Sequence, residues 1–96
     1  MAARPSKRQS RNIIGERVKE ARRLHAPPLT QDQLSGKLAA EGVQLDRVAI
    51  AKIETGIRGA LDLEVRGLSK ALKVDANWLL GIEPTKQPGT RRRGRA

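Results

Sequence analysis

One local pattern confines this chain more than any other feature: an apolar residue, then Thr or Asp, then a second apolar residue four positions after that. It appears at Leu29-Thr30 with Leu34, at Leu45-Asp46 with Ile50, and at Val74-Asp75 with Leu79. Thr and Asp side chains accept from the first unpaired amides of a helix, and the flanking apolar pair clamps the chain across the cap. At the first of these sites Thr30-Gln31-Asp32-Gln33 also matches the capping box, in which the fourth residue returns a hydrogen bond to the first. Such closely spaced starts within 96 residues confine the chain to short helices. No stretch shows the sustained period-two alternation of a half-buried strand.

The spacing predicts a first helix over Ile13–His25, with Ile14, Val18 and Ala21 on one face. Ala26-Pro27-Pro28 stops it, because proline cannot continue the hydrogen-bond ladder. Helix 2 opens at Thr30, turns Leu34 and Leu38 to the core, and ends near Gly42. Its small Ser35 and Gly36 would admit another helix closely. Helix 3 follows Asp46, faces inward through Ile50 and Ile53, and ends at Gly56. Helix 4 follows Asp62 as its cap and packs through Val65, Leu68, Ala71 and Leu72. Gly67 in its interior costs about 1 kcal/mol relative to Ala and marks a tight contact. Asp75 caps a last short helix over residues 76–80, stopped by Gly81 and Pro84, and places Trp78 in the core. The expected fold class is therefore all-α: one compact five-helix domain over residues 12–83.

Composition bounds what such a domain can do. There is no Cys, Phe or Tyr, with a single Trp and a single His. The core must be aliphatic, and disulfides, thiolate metal clusters and thiol nucleophiles are excluded. His25 is the only imidazole and reads as a helix C-terminal residue favoured by the dipole, so no enzyme, metal or cofactor is expected. No apolar run approaches the roughly 18 residues of a membrane span, and the N-terminus lacks a signal-peptide apolar segment. The expected location is cytoplasmic, at the nucleoid.

Charge adds a partner. Twenty Lys and Arg against ten Asp and Glu give a net +10, which favours a polyanion. Almost all of that excess sits in the two ends. Arg4, Lys7, Arg8 and Arg11 carry the first, residues 1–11, and Lys86, Arg91, Arg92, Arg93 and Arg95 the second, residues 84–96; neither contains an acid. With almost nothing apolar to bury, both read as disordered basic tails. As arms they would track phosphates or enter a minor groove; as solubilising segments they would do neither. A membrane-surface role lacks an accompanying apolar stripe.

Helix 3 is the candidate reading element. Beside its inward Ile50 and Ile53 it leaves Arg47, Val48, Ala51 and Lys52 outside, short side chains apart from two cations. A helix that enters the major groove needs this: no bulk to hold it away, and donors for base edges. Arg47 could read guanine through a bidentate contact, and Val48 or Ala51 could meet a thymine methyl. An ordinary solvated face would look the same, so helix 3 alone does not decide.

The ordered set of motifs goes further. Arg17-Val18-Lys19-Glu20-Ala21-Arg22, Leu29-Thr30-Gln31-Asp32-Gln33-Leu34 and Ile50-Ala51-Lys52-Ile53-Glu54-Thr55-Gly56 appear in that order. They are followed by Asp62-Leu63-Glu64, Ser69-Lys70-Ala71-Leu72-Lys73-Val74 and Asn77-Trp78-Leu79-Leu80-Gly81. Over this span the chain resembles the Cro/repressor-type, lambda-repressor-like helix-turn-helix family. The resemblance implies that Gln31 binds a phosphate and braces the reading helix, and that Arg47, Val48, Ala51 and Lys52 face bases or nearby phosphates. It further implies phosphate contacts for Thr55, where the family usually has Asn, and for Arg58 in the next loop. Arg22 and Glu54 match a pair that joins helix 1 to the end of helix 3. Two departures stand out. The loop at Ala26-Pro27-Pro28 is longer than usual, and so is the connection over residues 39–45. There either helix 2 gains a turn or a loop anchors Val43 and Leu45 inward.

The resemblance implies a sequence-specific regulator of transcription, of repressor type, bound to double-stranded DNA; such domains commonly bind as two-fold dimers, and the apolar end of the last helix, Leu79, Leu80 and Ile82, is the candidate interface for a homodimer. A second reading stays open: an antitoxin-type interaction module that holds a partner toxin and represses its own promoter. An RNA-binding role would favour exposed aromatic residues, which this chain lacks.

Overall fold

The structure is a computed structural model and describes residues 10–82. Among these residues the chain forms five helices and no strand: α1 (Gly15–Leu24), α2 (Gln31–Ala40), α3 (Arg47–Glu54), α4 (Asp62–Leu72) and α5 (Ala76–Leu79). None is long and apolar enough to cross a membrane. Ile14, Val18, Leu34, Leu38, Ile50, Ile53, Leu68 and Leu79 are fully buried in one aliphatic core that every helix enters. Burial of such side chains contributes about 1.5–3 kcal/mol each.

The expected caps form. Thr30 Oγ1 accepts from the Gln33 amide at 3.0 Å while Gln33 Oε1 accepts from the Thr30 amide at 2.8 Å, which closes both arms of the capping box. Asp46 accepts from the Ala49 amide at 2.8 Å and Asp75 from the Asn77 amide at 2.9 Å. The clamping residues Leu29, Leu34, Leu45, Ile50 and Leu79 are all buried beneath these caps.

Other local expectations are corrected. Helix α1 starts two residues later than Ile13, which is exposed, because the Asn12 side chain takes the Ile14 and Gly15 amides at 3.0 and 2.7 Å. Helix α4 is preceded by Leu61, not capped by Asp62. The Leu61 amide donates to Glu64 Oε1 at 3.0 Å, so Glu64 does from within the first turn what a capping side chain does from outside it. Gly36 faces open space and admits no helix. Its neighbour Ser35 is half-buried and donates to the Leu45 carbonyl at 2.7 Å. Trp78 lies at the core's edge with its face under the Arg17 guanidinium, 4.8 Å from the ring centre, and Arg17 also donates to its carbonyl. Leu79 is fully buried, so it is not available to a second copy, whereas Ile82 is exposed. Pro84 lies outside the described residues.

The lengthened connection between α2 and α3 takes the looped alternative. Helix α2 ends at Ala40, Gly42 reverses the chain at a φ of 82°, and Leu45 drops into the core. Val43 packs against Gly67 of α4: a Cβ on Gly67 would stand 2.6 Å from Val43 Cγ2. The Gly67 requirement is therefore steric, and the side chain that imposes it belongs to the extra loop.

Two opposing effects act on Gly67→Ala. Ala is favoured over Gly in a helix by about 1 kcal/mol, whereas overfilling a packed site costs about 1–3 kcal/mol. Gly67→Ala is expected to destabilise the protein by urea denaturation, and to stabilise it when made in a Val43→Ala background.

Candidate functional site

Helix α3 divides into two faces. At 3.6 residues per turn, Ala49, Ile50, Ile53 and Glu54 share one side, and Arg47, Val48, Ala51, Lys52 and Thr55 share the other. Ile50 and Ile53 are buried; Arg47, Val48, Lys52 and Thr55 are exposed, and Ala51 is half-buried. The exposed side carries two cations and no carboxylate, because the helix's one acid, Glu54, turns inward.

Glu54 is the point to which the other helices tie α3. Its side chain is 3% exposed. Arg22 of α1 meets it bidentately, Nε donating to Oε2 at 2.8 Å and Nη2 to Oε1 at 2.9 Å. Gln31 at the start of α2 donates to the same Oε1 at 3.1 Å. Arg22 Nη1 also donates to the Leu29 carbonyl at 3.1 Å, just before the α2 cap. One carboxylate thus joins α1, α2 and α3, and Gln31 braces α3 within the domain.

The remaining candidates divide by what already holds them. Arg47 approaches Asp32 at 3.7 Å, with both side chains largely exposed. A pair of that kind is worth little and leaves Arg47 available. Lys52 has no ion-pair contact among the described residues. The Thr55 hydroxyl donates back to the Ala51 and Lys52 carbonyls at 3.0 and 3.3 Å. Arg58 is held most firmly, in a bidentate pair with Glu64 at 2.8 and 3.0 Å. The hydrogen bond from Arg58 and that from the Leu61 amide hold the Glu64 carboxyl below its ordinary value, against the opposing effect of burial.

Sequence reasoning missed Asn12 and Gly15 beside α3 and placed Ser10 and Arg11 in the tail. Asn12 uses its whole side-chain amide: Oδ1 takes the α1 amides, while Nδ2 donates to the Ile53 carbonyl at 3.0 Å and the Arg58 carbonyl at 2.7 Å. The preference of Asn for helix starts could have suggested the first pair of bonds, but nothing local signals the second. Gly15 beside it is buried and must be glycine, since a Cβ there would collide with the Ile53 and Glu54 carbonyls. The positive start of α1 therefore rests on the negative end of α3, where the two dipoles attract. Next, the Arg11 amide donates to the Gly56 carbonyl at 2.8 Å, and Ser10 lies where a Gly56 side chain would be. Ser10 and Arg11, grouped with the tail by composition, are thus held against the end of α3. Residues 1–9 and 83–96, which carry the other tail cations, lie outside the described residues.

Comparison with known protein families, with curated proteins and with solved structures finds no match to this chain.

Removing one member of a buried ion pair strands the other, at a cost of about 3–5 kcal/mol. Glu54→Ala is expected to lose that much in urea denaturation, and Glu54→Ala with Arg22→Ala to lose less than the two single losses together. Glu64 supplies a pH dependence. Its folded pKa is depressed, so its contribution is fully present above the unfolded value of about 4.3 and is lost as pH falls through the lower folded value. The stability difference between the wild type and Glu64→Gln should be constant above about pH 6 and shrink below about pH 4.3 in pH-dependent denaturation.

Proposed function

We propose that this chain is a sequence-specific double-stranded DNA-binding regulator of transcription, of repressor type, that inserts α3 in the major groove and adds phosphate contacts from its basic ends. One observation carries the reading: the single acid within α3 is turned inward, paired with Arg22 and hydrogen-bonded by Gln31. The outer face is left with Arg47, Val48, Ala51 and Lys52. A groove walled by phosphates repels a helix that shows carboxylates and admits one that shows cations on a slim face. An α-helix with its side chains is about 10–12 Å across, close to the roughly 12 Å width of the major groove.

The braces support the same reading. A side chain discriminates between bases only if its backbone is held steady, and α3 is tied at its end through Glu54, Asn12 and Gly15. Arg47 is the base reader, its long side chain at the helix start and held only by a weak exposed pair with Asp32. Lys52 lies a little over one turn further along, suited to a phosphate. Gln31 acts through Glu54 as a positioning residue.

The test is a selection of binding sites from random duplex DNA at two salt concentrations, followed by affinities for the selected and a scrambled duplex. Arg47→Ala is expected to cost about 1–3 kcal/mol on the selected duplex and to relax the preference at one base pair. Equal losses on the two duplexes would remove Arg47 from the base-reading role, and a selection that recovers no preferred sequence would overturn the function itself.

A further inference from the structure

We infer that the cleft flanking α3, between Arg11, Val48, Lys52, Ile57 and Arg58, is a seat for a phosphodiester of duplex DNA, with Arg11 as its principal binding residue. The inference rests on the DNA-binding reading and extends it to a residue that composition assigned to a tail.

The cleft has a volume of about 560 Å³ and draws its cations from three separate segments: Arg11 before α1, Lys52 on α3, and Arg58 in the loop that follows. Their availability differs. Arg58 is committed to Glu64. Asp46 also lines the cleft; it accepts from the Ala49 amide as the α3 cap and keeps its charge, so with Arg58 paired to Glu64 the cleft offers two cations, Arg11 and Lys52, against one carboxylate. Arg11 and Lys52 have no ion-pair contact among the described residues and are exposed, so they are the charges free to meet an anion.

The backbone that presents Arg11 is already fixed. Its amide is bonded to the Gly56 carbonyl, Ser10 before it packs on Gly56, and Asn12 after it bonds to the Ile53 and Arg58 carbonyls. A phosphate that meets Arg11 therefore orders one side chain, not a length of free chain, and keeps more of the contact as affinity. The walls argue for a nucleotide over a small free anion. Val48 and Ile57 are 50% and 64% exposed beside the cations, apolar surface that suits a deoxyribose.

The experiment uses the full chain, a selected duplex and a scrambled duplex of equal length, with affinity followed by fluorescence anisotropy from low to high salt. Arg11→Ala should weaken both duplexes by the same factor, about fivefold near 0.15 M salt, and reduce the slope of log affinity against log salt by about 1. Arg11→Lys, which keeps the charge, should retain the wild-type slope. Arg11→Ala with Lys52→Ala should reduce the slope by about 2. The structural bond of Arg11 is made by its backbone, so all these variants should melt with the wild type by circular dichroism. Unchanged affinity and slope for Arg11→Ala, with the wild type binding DNA, would overturn the cleft and leave the DNA-binding reading in place. So would a loss confined to the selected duplex, which would make Arg11 a base reader. A wild type that binds neither duplex would instead overturn the DNA-binding reading beneath it.

Discussion

The Glu54 carboxylate is the constraint on which the candidate interface depends. It sits at the end of α3 with its side chain out of water, and two helices reach it at once, α1 through Arg22 and α2 through Gln31. Desolvating an ion pair costs about what its attraction returns, so the net contribution of such a pair to stability is small. Its geometric effect is larger. A bidentate arginine and a third donor on one carboxylate fix the distance and rotation of α3 relative to both neighbours. On this view the aliphatic core supplies the stability and the buried polar clamp sets the direction in which α3 presents its outer face.

A second clamp acts at the same end. Asn12 satisfies the first amides of α1 and the last carbonyls around α3 with one side chain, and Gly15 lets the two helix ends meet. These carbonyls would otherwise need water or a C-terminal cap. They are met instead by the start of another helix, which is also where the chain enters the domain. Arg11 is therefore anchored beside α3 by the same bonds that terminate it.

The charges sort by this architecture. Arg22, Arg58 and Arg17 are drawn into the domain, against Glu54, Glu64 and the Trp78 ring. Arg11, Arg47 and Lys52 stay on or beside α3 with weak contacts or none among the described residues. A net charge of +10 says nothing of this division. Arg47 and Arg58 look alike in the sequence, yet one is available to a ligand and the other is already in a bidentate pair.

Much of the fold was legible because it is written locally. The caps at Thr30, Asp46 and Asp75 and their apolar clamps act over four residues, so their hydrogen bonds and burial follow from the sequence alone, as does the inward face of α3. The misreadings occur where a distant group decides. Asn12 is defined by carbonyls 41 and 46 residues away. Gly36 and Gly67 are equivalent by composition, yet only Gly67 meets a side chain, that of Val43 from a loop whose path was open. Glu64 took over the start of α4 from Asp62, because the loop at residues 55–61 folds back onto that helix. Short-range hydrogen bonding and helical periodicity thus decide which segments are helices and which faces turn inward. Which cations remain free, and where the N-terminal arm joins, depends on the approach of backbone groups far apart in the chain, which only the packed structure brings together.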